Sequence, residues 1–298
     1  MFQILVALSV VAPAGAEPLG PGDHKRVLTV DKITRHHWIH VPPKHDVKKP
    51  TAVVLALHGA MMDGKMMEVF TDLSRSADKH NFIVVYPKGT GAGGIFLTWN
   101  AGQFPGPLVK DQADDVKYLG KVLDDVESVV NTDKKRVYAT GLSNGAMMCY
   151  RVASEMSERI AAIAPVAGTL AIEKYEPKRP VPVVHFHGNA DALVQYNGPP
   201  KGFRFRSVPD TIAACVKVNG CAEKPTEVEL PIKEDKLKVI RKDHGKGKGG
   251  AEVVLYVIHQ GGHTWPGMTG APVFLGQSTR NISANDIMWE FFQRHPMK

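Results

Sequence analysis

The feature that most constrains the fold is a glycine-flanked serine between a short strand and a helix. Residues 136–150 read R-V-Y-A-T-G-L-S-N-G-A-M-M-C-Y, with a β-branched and aromatic run at 137–140 and a helix-compatible run from Ala146. A serine at the apex of so sharp a turn is forced into strained backbone geometry, so only small residues fit two positions to either side. Both positions are glycine, which makes Ser143 a candidate nucleophile. A solvated serine in an ordinary turn would give the same short pattern, so other parts of the chain must decide.

Apolar periodicity alternates between strands and helices along the whole chain. Residues 51–57 and 82–86 are nearly continuous apolar runs, typical of strands covered on both faces. Apolar residues at helical spacing predict helices at 66–79 and 111–130, and capping boxes begin two more at Ser207 and Ser283. Further strands are predicted at 25–30, 36–41, 160–166, 181–186, 227–232, 237–241 and 252–259. This rhythm predicts one α/β domain over residues 17–298, built on a doubly wound, mostly parallel sheet.

Two polar residues stand where a serine nucleophile needs them. A serine hydroxyl is a poor nucleophile at neutral pH, so it needs a histidine to take its proton and an acid to orient that histidine. Asp191 follows the strand at 181–186, and His263 follows the strand at 252–259. The order Ser143, Asp191, His263 is that of the catalytic residues in α/β-hydrolases. The sequence therefore predicts an α/β-hydrolase fold with this triad.

Acyl transfer also needs backbone N–H groups that stabilise the developing oxyanion. The residue after the nucleophile, Asn144, is predicted to supply one amide. The loop after the strand at 51–57 is predicted to supply the second, from Ala60 or, as the next choice, from Met61.

Six segments support a resemblance to a known family. In chain order they are LALHGAMMDG, LTWNAG, GLSNGAMM, APVAGTL, HGNADALVQYNG and GGHTWPG. With these segments nearly the whole mature chain resembles the secreted esterases grouped with polyhydroxybutyrate depolymerases and feruloyl or acetylxylan esterases. The resemblance implies that Ser143 is the nucleophile, Asp191 the acid and His263 the base, in agreement with the prediction from strand ends.

The resemblance also bears on the substrate cleft. Trp99 and Trp265 fall in family segments that line the cleft, where an indole face would suit an aromatic or apolar acyl group. Core packing is the alternative for both. Members of the family often have cysteines just after the WNAG segment, whereas this chain has Gln103 and Phe104, which excludes a disulfide there.

The N-terminus predicts export. Residues 4–11 form an apolar run too short to span a bilayer, and Ala14 and Ala16 suit a signal-peptidase site, so residues 1–16 are predicted to be a signal peptide. Against this, residues 1–3 carry no basic side chain. No segment is long and apolar enough to cross a membrane. We therefore expect a secreted protein, extracellular or periplasmic, that does not act in a membrane.

The three cysteines allow at most one internal disulfide. Cys215 and Cys221 flank Asn219 and Gly220, close enough for a bridge across a helix end in an oxidising compartment. The sequence predicts this disulfide and leaves Cys149 as a buried thiol.

Other patterns are assigned no ligand. The net charge of +7 comes from basic residues spread along the chain, and the basic run at 242–248 is predicted to be a solvated hairpin turn, so no nucleic-acid partner is expected. Residues 89–94 match G-x-G-x-x-G, but no helix follows to bind a phosphate, so no cofactor is expected. His36 and His40 share a strand face while His37 points away, which favours packing or surface histidines over a metal site.

These patterns together predict a serine esterase that acts through an acyl-enzyme, with no evident protein partner. The leading substrates are feruloyl or acetyl esters of plant polysaccharide. The alternative is a polyhydroxyalkanoate polyester, such as polyhydroxybutyrate, or its oligomers. A rival of another class is a non-catalytic binding protein on a hydrolase scaffold, and the complete triad argues against it.

Overall fold

One ten-stranded sheet organises the part of the chain that the structure, a computed structural model, describes: residues 17–91, 94, 96–102, 113–199, 201–269 and 272–298. The predicted signal peptide at 1–16 and the Gln103–Phe104 pair lie outside these residues. The strands are β1 Gly22–Val30, β2 Ile33–Val41, β3 Thr51–Leu57, β4 Ile83–Pro87, β5 Thr132–Leu142, β6 Ile163–Val166, β7 Val183–Gly188, β8 Thr226–Glu229, β9 Val239–Lys246 and β10 Glu252–Ile258.

The sheet is parallel at its centre and antiparallel at its edges. Its strand order is β1-β2-β4-β3-β5-β6-β7-β10-β9-β8. The strands from β4 to β10 in this order run parallel, while β1 with β2 and β9 with β8 extend it by antiparallel pairing. The predicted mostly parallel sheet is confirmed. Because parallel strands share one direction, the loops after β3, β5, β7 and β10 all leave from the same edge.

Helices cover both faces of the sheet. They are α1 Gly64–Thr71, α2 Leu73–His80, α3 Asp115–Val129, α4 Asn144–Glu155, α5 Val208–Asn219 and α6 Ala284–Gln293. Alternate residues of β3 face opposite layers: Val53 and Leu55 pack in the core under α3, α4 and α5, and Ala52 and Val54 in the core under α1, α2 and α6. Every residue of β3 is buried, which explains its continuous apolar sequence. None of the described helices combines the length and apolarity that crossing a bilayer requires.

Local signals locate some helix ends and miss others. Ser207 and Ser283 each accept a hydrogen bond from the amide three residues later, as the two capping boxes predict. The single helix predicted at 66–79 is wrong, because Asp72 adopts a left-handed conformation (φ 50°) that separates α1 from α2. Aspartate is one of the few side chains that tolerate this region. The basic run at 242–248 begins inside β9, and the turn itself occupies Lys248–Gly250.

The predicted disulfide between Cys215 and Cys221 is absent, and all three cysteines are free thiols. Cys215 is fully buried in the core on α5. Gly220 ends that helix in a left-handed conformation, and beyond it the Cys221 thiol donates to the Ala251 carbonyl at 3.4 Å. The helix end thus directs Cys221 toward the start of β10. Cys149 is a buried thiol, as predicted.

Candidate active site

Ser143 lies at a sharp turn between β5 and α4, in the strand, turn and helix context that the sequence predicts. Its backbone has φ 57° and ψ −120°, a conformation that non-glycine residues rarely adopt. The Ser143 amide donates to the Val166 carbonyl at 2.9 Å, and its carbonyl accepts from the Met147 amide at 3.0 Å. A Cβ at Gly145 would lie 2.1 Å from the Leu57 carbonyl oxygen. The flanking glycine is therefore required by close backbone approach.

Asp191 and His263 form a buried pair at the ends of neighbouring strands. Asp191 follows β7 and His263 follows β10, and these strands pair in parallel. The two loops touch, since the Ala190 amide donates to the Gly261 carbonyl at 3.0 Å. His263 Nδ1 lies 2.7 Å from Asp191 Oδ2, and both residues are 4% exposed. A carboxylate only accepts, so Nδ1 carries the proton and a neutral His263 has Nε2 free to accept another.

Backbone hydrogen bonds hold both members of the Asp191–His263 pair. Its Oδ1 accepts from the backbone amides of Leu193 and Val194, each at 2.9 Å, while Oδ2 faces the imidazole. The backbone of His263 is held as well, since its amide donates to the Leu275 carbonyl at 2.6 Å. These bonds orient the acid and the base before any substrate arrives.

The structure brings Ser143 to the same sheet edge as this pair, because β5, β7 and β10 are parallel and only β6 separates β5 from β7. Ser143 is partly exposed. Its hydroxyl makes no hydrogen bond with another residue of the described ranges. Catalytic hydrogen bonds are often long in the free enzyme and shorten when substrate binds.

The loop after β3, which the sequence predicts to supply one oxyanion donor, lies beside Ser143. A Cβ at Gly59 would lie 3.6 Å from the Ser143 Cβ. The Met61 amide donates to the Leu97 carbonyl at 2.7 Å, so it is already engaged. The Ala60 amide has no acceptor among the described residues. Asn144 is the first residue of α4, where backbone amides have no intrahelical acceptor.

Trp99 packs inside the protein, and the predicted stacking surface for substrate is not open. Its side chain is fully buried, and the indole N–H donates to the His58 carbonyl at 2.9 Å. Its amide donates to the Asn144 side-chain oxygen at 2.6 Å, and its carbonyl accepts from the same side chain at 3.2 Å. Trp99 therefore connects the β3 loop to the start of α4. The sequence could not reveal this, since the partners lie far apart in the chain.

Trp265 is also buried, with 1% of its surface exposed. Its indole N–H donates to Asn285 Oδ1 at 2.9 Å, and Asn285 donates in turn to the Thr71 carbonyl at 2.8 Å. These bonds join the loop after His263 to α1 and α6. The alternative weighed for both tryptophans, core packing, is what the structure shows.

His58 joins the β3 loop to the loop after β4, and the sequence patterns do not single it out. It is fully buried, its Nδ1 donates to the Gly59 carbonyl at 2.8 Å, and its Nε2 accepts from the Gly89 amide at 2.9 Å. Burial lowers the pKa of His58 to about 4, so the ring is neutral and both bonds persist at neutral pH. The sequence signal for such a residue is a His-Gly pair at the end of a strand, as in His58-Gly59. The pair recurs at His187 and Gly188.

One group of side chains has the composition of a cation site. Asp23, His40 and Glu68 lie close together near the sheet edge. The Lys65 ammonium is 2.8 Å from Asp23 and 2.6 Å from Glu68, so a lysine already forms ion pairs with both carboxylates. His37 is separate and bonds Asp125 at 3.0 Å. His40 is hydrogen-bonded to Asp23 at 2.7 Å and to Asp78 at 2.9 Å.

Comparisons with known proteins bear on family and fold. No protein-family model matches the chain. It is similar to a putative esterase, NocK, of Nocardia uniformis subsp. tsuyamanensis, with 29% identity over 286 residues that cover 89% of this chain and 81% of that protein. It is similar to feruloyl esterase C of Emericella nidulans, with 26% identity over 301 residues covering 98% of this chain and 97% of the relative.

Solved structures share the fold. An acetyl xylan esterase from Aspergillus awamori superposes with a TM-score of 0.60 at 15% identity, over 91% of this chain and 99% of that one. An S-formylglutathione hydrolase from Agrobacterium tumefaciens gives 0.58 at 14% identity, over 95% and 99%. Together with the sequence relatives, these likenesses support a carboxylic ester hydrolase with the α/β-hydrolase fold.

Proposed function

We propose that Ser143, Asp191 and His263 are the catalytic triad of this esterase. The observation that carries the proposal is the buried hydrogen bond of 2.7 Å between His263 Nδ1 and Asp191 Oδ2, formed at the same sheet edge as the strained turn at Ser143. A histidine held in this tautomer has Nε2 free to take a hydroxyl proton.

The proposed mechanism has two halves. Ser143 Oγ attacks the ester carbonyl carbon as its proton moves to His263 Nε2, and the amides of Asn144 and Ala60 stabilise the oxyanion. His263 then gives the proton to the leaving alcohol, and an acyl-enzyme remains. Water repeats the attack with His263 as base, and the acid is released. Asp191 stays ionised and stabilises the imidazolium throughout.

The proposed substrates are feruloyl or acetyl esters borne on plant polysaccharide. The chain matches the feruloyl esterase C of Emericella nidulans over nearly the whole length of both proteins. The name of that relative supports the feruloyl assignment. Exposed apolar side chains on loops of the site also support it. Met61 is 59% exposed in the β3 loop, Leu193 is 52% exposed beside Asp191, and Phe274 is 77% exposed next to Leu275. These side chains would suit an aromatic acyl group.

A substrate panel tests this assignment. We expect methyl ferulate and acetylated xylan to be hydrolysed with a higher kcat/KM than hydroxybutyrate oligomers. If the oligomers were the best substrates, the chain would be a polyester hydrolase instead. If none of these esters were cleaved, the substrate class would be wrong.

The nucleophile has its own test. Ser143→Ala should abolish ester hydrolysis while the protein stays folded, because only binding and oxyanion stabilisation would be left. A serine-directed phosphonate should label Ser143 in the parent. The exposed Ser128→Ala is the matched control and should keep full activity. Retention of activity within about tenfold of the parent by Ser143→Ala would contradict the assignment, given the far larger loss expected for a nucleophile.

We also propose that the protein is exported after removal of residues 1–16. The small residues at Ala14 and Ala16 support a cleavage site there. Intact-mass analysis of protein recovered from outside the cytoplasm should give a chain beginning at Glu17. Retention of the full-length chain inside the cell would contradict the proposal.

A further inference from the structure

A buried chain of hydrogen bonds lies behind the catalytic acid and is not used in the mechanism above. The Tyr150 hydroxyl on α4 is 2.6 Å from His185 Nδ1. His185 Nε2 is 3.0 Å from His187 Nδ1, and His187 Nε2 is 2.8 Å from the Val194 carbonyl oxygen. All three side chains are at most 1% exposed. The two imidazoles stack with their planes 5° apart.

The carbonyl at the end of the chain determines every proton position. A carbonyl only accepts, so His187 Nε2 must carry the hydrogen. A neutral imidazole has one N–H, so His187 Nδ1 accepts from His185 Nε2. His185 Nδ1 then accepts from the Tyr150 hydroxyl. Burial lowers the pKa of His187 to about 4 and that of His185 well below its usual value, so both rings are neutral.

The chain ends on the loop that carries Asp191. Val194 is held at two points, since its carbonyl accepts from His187 and its amide donates to Asp191 Oδ1 at 2.9 Å. His187 Nε2 also lies 3.5 Å from Asp191 Oδ2, the oxygen that faces His263. A shift of Val194 would therefore move the carboxylate relative to the imidazole that it orients.

We propose that Tyr150, His185 and His187 form a positioning relay that holds the loop at 189–194, and with it the Asp191 carboxylate, in register with His263. The relay connects α4, whose first residue follows the nucleophile, to the loop of the acid. It thereby fixes the acid relative to the helix that begins at the nucleophile. The three residues act through Asp191 and do not touch the substrate.

Removing the donor at position 187 tests the relay. His187→Leu should lower kcat by about ten- to a hundredfold with KM little changed, because small misplacements of catalytic groups carry penalties of this size. His187→Gln can place an N–H near the Nε2 position and should recover most of the loss. Rates are divided by the number of sites that react with the phosphonate at Ser143, so that misfolded protein does not count.

A matched control separates positioning from general stability. His37 is equally buried, lies on β2 and bonds Asp125. His37→Leu should lower stability but leave kcat per reactive site unchanged. If His187→Leu kept kcat within about twofold of the parent, or if His37→Leu lost as much kcat as His187→Leu, the relay would have no positioning role, since a misplaced catalytic group costs more than this.

A spectroscopic measurement covers the case in which the His187 variants do not fold. Nitrogen NMR of the histidine rings should show His185 and His187 as neutral Nε2–H tautomers, and Tyr150→Phe should change the His185 signal. An Nδ1–H tautomer at His187 would overturn the relay. The relay's catalytic role rests on the proposed function, whose failure would show separately, as an inactive parent or an unlabelled Ser143.

Discussion

At the Asp191 carboxylate, each oxygen has a separate task. Oδ1 accepts two backbone amides and Oδ2 accepts the His263 ring N–H. The amides define the orientation of the group, because an N–H can only face an acceptor. The same logic applies at Ser143, where hydrogen bonds to Val166 and Met147 hold a backbone conformation that costs on the order of 1–3 kcal/mol.

This division of tasks predicts a large effect for Asp191→Asn. The amides of Leu193 and Val194 require an oxygen, so the new NH₂ group would face His263 Nδ1. The imidazole would then have to present a lone pair there and carry its proton on Nε2, the atom that must accept from Ser143. We expect turnover to fall at least about a hundredfold, by analogy with the loss of about four orders of magnitude in a serine protease.

The control for this variant is Asp210→Asn. Asp210 is exposed in the capping box of α5, where its amide donates to Ser207. The activity of Asp210→Asn per folded molecule should stay within about twofold of the parent, because surface substitutions of this kind have little effect on the fold. If Asp191→Asn kept the activity of the parent, the acid of the triad would be a residue other than Asp191.

At the scale of elements, β3, β5 and α4 approach so closely that position 145 has room only for glycine. A Cβ at Gly145 would collide with the Leu57 carbonyl at 2.1 Å, whereas at Gly120, inside α3, the nearest atom is 3.9 Å away on the flexible Met156 side chain. The same substitution should therefore have opposite effects in two helices.

Gly145→Ala should lower the free energy of unfolding by about 1–3 kcal/mol, as overpacking does, and reduce activity by shifting Ser143. Gly120→Ala should raise the free energy of unfolding by about 0.5–1 kcal/mol, because alanine loses less backbone entropy in a helix. Urea unfolding of both variants gives the two values. Equal changes in both would show that close backbone approach does not explain the glycine at 145.

Elements with local signals could be predicted from the sequence. The apolar run of β3, the serine caps of α5 and α6 and the turn at Ser143 each leave a signal in consecutive residues of the sequence. The break at Asp72 could not be predicted, because neither glycine nor proline marks it. At this position a left-handed aspartate ends α1, and its amide donates to the Glu68 carbonyl.

Side-chain roles that depend on distant partners were also out of reach. The sequence places Asp115 on a helix, but no local pattern indicates that it is fully buried and bonded to Arg35 at 2.5 Å and to the Asn100 amide at 2.7 Å. Trp99 was expected at the cleft, and its bond to His58 places it inside. Strand register and loop approach determine such contacts, and neither is visible in a linear pattern.

At the scale of the whole molecule, burial keeps several histidines neutral. Burial lowers the pKa of His37, His58 and His187 to about 4 in each case, and that of His185 well below its usual value. His40 behaves in the opposite way. Although burial opposes it, hydrogen bonds to Asp23 and Asp78 raise its pKa, so His40 contributes stability at low pH that is lost as the pH rises.

The balance of these groups predicts that stability falls as the pH drops from about 6.5, the usual histidine value, toward about 4. In that window the unfolded chain binds protons at these four histidines and the native protein does not, so unfolding is favoured. The buried His295, whose pKa is also lowered by burial, adds to the effect. His40 and Asp115, whose pKa values are raised in the native protein, act against it. At about pH 5.5 each buried histidine should cost on the order of 1 kcal/mol relative to about pH 7.5. Urea titrations at the two pH values measure the loss. His37→Gln should reduce the difference in unfolding free energy between the two pH values by the contribution of one histidine. If the urea midpoint did not fall at the lower pH, these histidines would be protonated in the native protein.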